Sequence, residues 1–122
     1  MFLEEIFPTP IWGFDLDVDV DSIKYWCYSC MKENPGRVIS NVGGWQSEDY
    51  REFGNTPLTE LVLYIVKESH NIANDIGIPK GDRWIENLWI NINPKYSYNQ
   101  VHVHPEARLS GVFYVSAPEK SG

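Results

Sequence analysis

Leu88-Trp89-Ile90-Asn91-Ile92-Asn93-Pro94 is the stretch that decides the fold. Its side chains alternate, with Leu88, Ile90 and Ile92 on one side and Asn87, Trp89, Asn91 and Asn93 on the other. A period of two belongs to a β-strand, and it predicts one over about 84–93. A buried sheet normally spends such a second face on aliphatics, so three Asn and a Trp suggest the polar lining of a pocket. Pro94-Lys95-Tyr96-Ser97 closes the strand as a turn. From Asn99 to His104 the alternation resumes, with Gln100, His102 and His104 sharing one face and Val101 and Val103 the other. After a turn at Pro105-Glu106-Ala107, a third strand is expected over Leu109 to Val115.

Upstream of Pro79-Lys80-Gly81 the period is that of helices. Thr56 as N-cap, Pro57 at the first helical position and Gly77 just past the end delimit one of them. Its stripe, Leu58, Leu61, Val62, Ile65, Ile72 and Ile76, is expected to pack on something flat. An earlier helix is expected over Ser22 to Asn34, stopped by Asn34-Pro35-Gly36, with the stripe Ile23, Trp26, Cys27, Cys30 and Met31. Cys27 and Cys30 form a C-x-x-C, but no second Cys or His pair completes a zinc site and no strand precedes it as in a thioredoxin-like unit. Both thiols are read as core residues.

Asp15, Asp17, Asp19 and Asp21 alternate with Leu16, Val18 and Val20. A calcium loop starting at Asp15 needs Gly sixth and Glu twelfth, where Val20 and Trp26 stand. The acids are therefore expected in solvent, with Asp21 capping the first helix. Gly43-Gly44 lacks the Lys of a phosphate loop and reads as a tight turn that lets Trp45 dock on the core. The prolines of Ile6-Phe7-Pro8-Thr9-Pro10-Ile11-Trp12 allow an edge segment only.

The chain of 122 residues suffices for one domain, and 43% hydrophobic with 14% aromatic residues is too apolar for a disordered segment. Ten basic against 17 acidic residues, net charge −7, leave no basic field for phosphate backbones or anionic lipid, which argues against nucleic acid as a partner. The longest apolar run, Leu61 to Val66, is far short of the ~20 residues of a membrane span, and Met1-Phe2-Leu3-Glu4-Glu5 is acidic where a signal peptide is basic. A soluble, cytoplasmic protein is expected.

His102-Val103-His104 carries two imidazoles two residues apart, a spacing suited to neighbouring positions on one transition metal. The same spacing also serves cross-strand or supporting histidines. His70, between Ser69 and Asn71 on the second helix, is expected at the surface or rim rather than on a metal.

Leu88 to Pro94, then Asn99-Gln100-Val101-His102-Val103-His104-Pro105, then Leu109-Ser110-Gly111-Val112-Phe113-Tyr114-Val115 together resemble a family of iron(II)- and 2-oxoglutarate-dependent oxygenases of bacteria and cyanophages. Phe7-Pro8-Thr9-Pro10 and Ser40-Asn41-Val42-Gly43-Gly44-Trp45-Gln46-Ser47 are similar to that family too, so the resemblance spans essentially the whole chain. It implies an α+β fold in a single domain, 1–122. N-terminal helices over 1–81 would support a partial double-stranded β-helix, of jelly-roll or cupin type, over 82–122.

The implied function is a dioxygenase of hydroxylase type with iron(II) as metal and the small molecule 2-oxoglutarate as co-substrate, acting on an unknown substrate. By the resemblance His102 is the first iron ligand, and His104 stands where many relatives carry Asp or Glu. A neutral imidazole there leaves the iron one charge more positive. Glu106 is the alternative carboxylate, with His104 then the first ligand. Tyr114 occupies the position where relatives place a tyrosine on the distal carboxylate of 2-oxoglutarate, and an ordinary core tyrosine is the other reading. Asn91 and Asn93 are the remaining polar candidates, equally readable as asparagines that bond backbone.

The family's last histidine ligand and the basic residue that pairs with 2-oxoglutarate come from a strand C-terminal to all of this. The 41 residues from Asp82 to Gly122 hold three or four strands at about 8–12 residues each. The chain is therefore read as a fragment, with a sheet edge open to self-association and the Leu88, Ile90, Ile92 face short of cover. Cyanophage members place such a protein in the host cytoplasm. A cupin-like metal-binding protein without oxygenase activity and a phage structural or interaction module are the two other classes left open.

Overall fold

The computed structural model describes residues 9–79 and 85–119. Phe7, Pro8 and the expected strand start at Trp84 lie outside them. The elements in chain order are α1 (Val20–Glu33), β1 (Asn41–Val42), β2 (Trp45–Gln46), α2 (Leu58–Asp75), β3 (Asn91–Ile92) and β4 (Tyr98–Asn99), an α+β arrangement.

α1 begins two residues before the expected Ser22, because Asp19 and not Asp21 is its cap. Asp19 accepts from the Ser22 N–H at 3.0 Å and from the Ser22 hydroxyl at 2.6 Å, and these bonds hold its carboxyl below the usual range. Leu16 and Val18 turn inward against the core while Asp15 and Asp17 stay exposed, as the alternation implies. The helix stops at Asn34, whose N–H and side-chain amide both donate to the Cys30 carbonyl.

α2 starts where the Thr56 hydroxyl accepts from the Leu58 N–H at 3.2 Å. At its end Ile78 N–H donates to Ala73 and Gly77 N–H to Asn74, with Gly77 at φ +72°, the closing pattern of a Schellman turn. Leu58 and Leu61 are buried and Val62 and Ile65 pack beside them. Ile76, expected on this stripe, is exposed, and Ala73 takes the buried position near the helix end. No helix among the described residues is long and apolar enough to cross a membrane.

Two short antiparallel ladders join the first connecting segment to the last part of the chain. β1 pairs with β4 (Asn41 with Asn99, Val42 with Tyr98), and β2 pairs with β3 (Trp45 with Ile92, Gln46 with Asn91). The second ladder continues to a bridge between Tyr50 and Leu88. Between Gln46 and Tyr50 the first segment spends one residue more than its partner, a bulge that hides Ser47. Gly43-Gly44 and the 94–97 turn lie against each other at the crossing. Gly43 has φ +73°, and a side chain at Gly44 would run into Asn93 and the Ile92 carbonyl. The glycine pair is thus a tight turn, and Trp45 docks beyond it with its Nε1–H on the Asn34 carbonyl at 3.0 Å.

Leu88, Ile90 and Ile92 all face the core, which centres on Ile23, Cys27, Leu58, Leu61 and Ile90. The expectation that this face lacks cover is corrected here: α1, α2 and the 45–50 segment close over it, and Ile90 is 8% exposed.

The predicted strands are longer than the observed ones. The first reduces to β3 with the bridge at Leu88, the second to β4, and among the described residues 109–115 form none. Alternation of side chains fixes which way they point, but a strand also needs a neighbouring backbone to bond with. Among the described residues, 101–104 and 109–115 have no such neighbour. The alternation itself persists in the last segment, where Phe113 and Val115 pack on the core and Val112 and Tyr114 are exposed.

Candidate functional site

His102 and His104 project from the unladdered stretch just after β4, and both are exposed. Their ring centroids lie 4.8 Å apart with the planes at 84°. The structure therefore brings together the two imidazoles that the alternation places on one side. His102 Nδ1 lies 2.7 Å from the Gln100 carbonyl, an oxygen that can only accept, so Nδ1 is the donor and in the neutral ring the Nε2 lone pair is left free. A ring nitrogen tied to a carbonyl with the other left open is how ligating histidines are held in the tautomer a metal requires. Gln100 is itself anchored, its N–H donating to the Ser40 carbonyl at 2.7 Å.

Trp89 completes the cluster, its ring centroid 5.5 Å from that of His104 at 36°. The sequence places Trp89 on the polar side of its strand. Its contact with His104 depends on how the chain returns after β4, and no local signal carries that.

The other expected positions disperse. Asn91 is exposed in β3, opposite Gln46. Asn93 is spent on structure: its amide donates to Asn99 Oδ1 at 2.9 Å, and the Asn99 amide donates to the Ser40 hydroxyl at 3.0 Å, which ties the two turns together. Tyr114 is 75% exposed, on the side opposite Phe113 and Val115, so it is not a core tyrosine in this arrangement. Glu106 sits in the turn closed by the Ala107 N–H on the His104 carbonyl, at φ +69°, a backbone region that glycine prefers. His70 is half-buried on α2. Among the described residues no group of three or more His, Cys, Asp or Glu converges as a metal would require. The donor chemistry fits iron(II) for two positions, and two imidazoles alone do not make a facial triad.

Elsewhere polar groups brace the fold. Arg37 pairs with Asp49, holding that carboxyl below its usual range, and lies 3.7 Å from Glu48. This pair joins two residues between which the sequence shows no link. Cys27 and Cys30 are free, and burial pushes the Cys27 thiol up to about 11. Burial and the Cys30 thiol beside it push the Tyr50 hydroxyl up to about 12. Cys27 lies in the buried core, in line with its reading as a core thiol, and Cys30 is half-buried.

Residues 87–122 match the model of a family described as "Putative 2OG-Fe(II) oxygenase". The match contains the histidine pair, the two asparagines and Tyr114, and supports the resemblance over that part of the chain. No curated protein and no solved structure matches.

Proposed function

We propose, starting from the kinship of residues 87–122 with 2-oxoglutarate- and iron(II)-dependent oxygenases, that this chain belongs to such an enzyme, a dioxygenase of hydroxylase type. In this reading the β region is the beginning of a jelly roll, and further strands would pair with 101–104 and 109–115. The observation that carries it is the pair of imidazoles within that match, 4.8 Å apart, one of them holding Nε2 free.

His102 and His104 would hold iron(II) through two of its positions. The bound metal supplies oxygen activation coupled to decarboxylation of 2-oxoglutarate and hydroxylation of a carbon centre. The Gln100 carbonyl selects the neutral His102 tautomer with its proton on Nδ1, which leaves Nε2 to the metal. Tyr114 offers its hydroxyl to the distal carboxylate of 2-oxoglutarate once neighbouring strands enclose its face, and Asn91 presents a second polar group there. Asn93 acts indirectly, by fixing the turn that carries the chain from β3 toward the histidines.

The test is anaerobic titration with Fe²⁺, or Co²⁺ as a spectroscopic substitute, of the parent, His102→Ala, His104→Ala and His70→Ala. Loss of binding in the first two variants and not in the third is expected. If His70→Ala weakens binding as much as His102→Ala, the assignment is wrong. Succinate formation from 2-oxoglutarate, assayed on this chain and on one carrying the further strands, separates an oxygenase from a cupin-like metal-binding protein. Only the longer chain is expected to turn over, and there Tyr114→Phe should raise the KM for 2-oxoglutarate by the worth of one hydrogen bond to a charged group, about 1.5–3 kcal/mol.

A further inference from the structure

The histidine pair is held by something other than a sheet. Among the described residues no backbone ladder bond holds 101–104, and Val101 and Val103, which alternate with the histidines, are both exposed. On backbone grounds alone the two rings would be free to turn. Yet they form the middle of a fixed series. His102 is tied to the Gln100 carbonyl, and Gln100 to Ser40. His104 meets His102 edge to face and lies at a shallow tilt beside Trp89.

Trp89 is the most firmly rooted member of that series. The residues on either side of it are clamped to the 45–50 segment. Leu88 exchanges two backbone bonds with Tyr50, at 2.7 and 3.2 Å. Ile90 exchanges two bonds with Ser47, at 3.0 Å to its carbonyl and 2.9 Å from its N–H. Leu88 and Ile90 point into the core, so the indole must emerge on the opposite side. Its backbone is thereby held to the core. Ring pairs at such separations attract each other beyond simple area burial.

We infer that Trp89 is the positioning residue of the histidine pair: it fixes the His104 ring from the core side, as the Gln100 carbonyl fixes His102 from the other. The inference rests on the proposed metal reading and adds to it a residue that touches neither metal nor co-substrate. Supporting partners of metal-bound histidines commonly account for 10- to 100-fold in affinity.

The experiment compares the parent with Trp89→Leu and Trp89→Phe, each checked by circular dichroism for retained helix. Three readouts are taken: the imidazole C–H proton resonances, the Co²⁺ dissociation constant from visible absorption, and quenching of tryptophan emission by Co²⁺. The His104 resonances are expected to carry a ring-current displacement in the parent that Trp89→Leu removes. Trp89→Leu should bind Co²⁺ roughly tenfold more weakly, with the aromatic Trp89→Phe restoring most of the affinity. In Trp89→Phe the quenching should shrink, because the indole beside His104 is gone.

Unchanged Co²⁺ affinity in Trp89→Leu overturns the inference and leaves the metal assignment standing. Quenching in Trp89→Phe equal to that of the parent overturns it as well, even if Trp89→Leu fails to fold. A parent that binds no Co²⁺ removes the metal reading and this inference with it.

Discussion

Ser47 and Ile90 exchange two hydrogen bonds, one of which a side chain supplies in place of the backbone. The Ser47 N–H donates to the Ile90 carbonyl at 3.0 Å, and the Ile90 N–H donates to the Ser47 hydroxyl at 2.9 Å. The extra residue of the bulge takes the Ser47 carbonyl out of register, and the hydroxyl stands in for it as acceptor. Both residues are buried, so this pair closes the sheet over the core at the point where the two segments slip by one residue.

Ser47→Ala should therefore cost more than the loss of one hydroxyl at a surface. The Ile90 N–H would be left buried without an acceptor, a penalty of about 1–3 kcal/mol. Urea denaturation followed by circular dichroism measures it. A change below about 0.5 kcal/mol, the size usual for surface substitutions, would show that the bulge tolerates the loss.

Gly44→Ala tests the crossing of the two turns. The added methyl would run into the Asn93 carboxamide and lie 3.1 Å from the Ile92 carbonyl, which is backbone and cannot swing aside. Destabilisation of about 1–3 kcal/mol is expected, the usual cost of overpacking. The double variant Gly44→Ala/Asn93→Ala should be less destabilised than the two single effects added together, because the shared clash disappears. Strict additivity would place the strain elsewhere.

Acid sensitivity should reside partly in Asp49. Its carboxyl is held below the usual carboxylate range, first by the hydrogen bond from Arg37 and further by that cation's charge. A depressed carboxyl favours the folded state above its unfolded pKa, and the contribution is lost as pH falls through the folded value. Stability profiles between pH 6 and pH 2 of the parent and Asp49→Asn should converge toward acid, with the parent's advantage full above about pH 4 and lost as pH falls through the lower folded value. Parallel profiles across that range would mean that the ion pair adds nothing measurable, as many surface pairs do.

Much of this protein can be read along the chain. The stripe on α1 and most of that on α2 bury as their spacing requires, the Thr56 and Gly77 signals bracket α2 in real hydrogen bonds, and the Leu88, Ile90, Ile92 face is the core face. These follow from local chemistry: a period, a cap, a residue able to adopt positive φ. Cap selection is the local point that the sequence leaves ambiguous, since Asp19 and Asp21 are equally good caps and only the geometry of Ser22 chooses Asp19.

The placing of one segment against another is decided only in three dimensions. The sequence by itself determined that His102 and His104 share a side, because alternation is a property of an extended backbone. It also determined that Phe113 and Val115 turn opposite to Val112 and Tyr114. Tertiary structure decided that β1 and β2 pair with β4 and β3, that Asn93 braces a turn, that Arg37 finds Asp49, and that Trp89 lies beside His104. Each of these joins residues 6 to 58 positions apart. A side chain's own neighbours along the chain carry no record of such meetings, because backbone pairing and core closure bring the partners together.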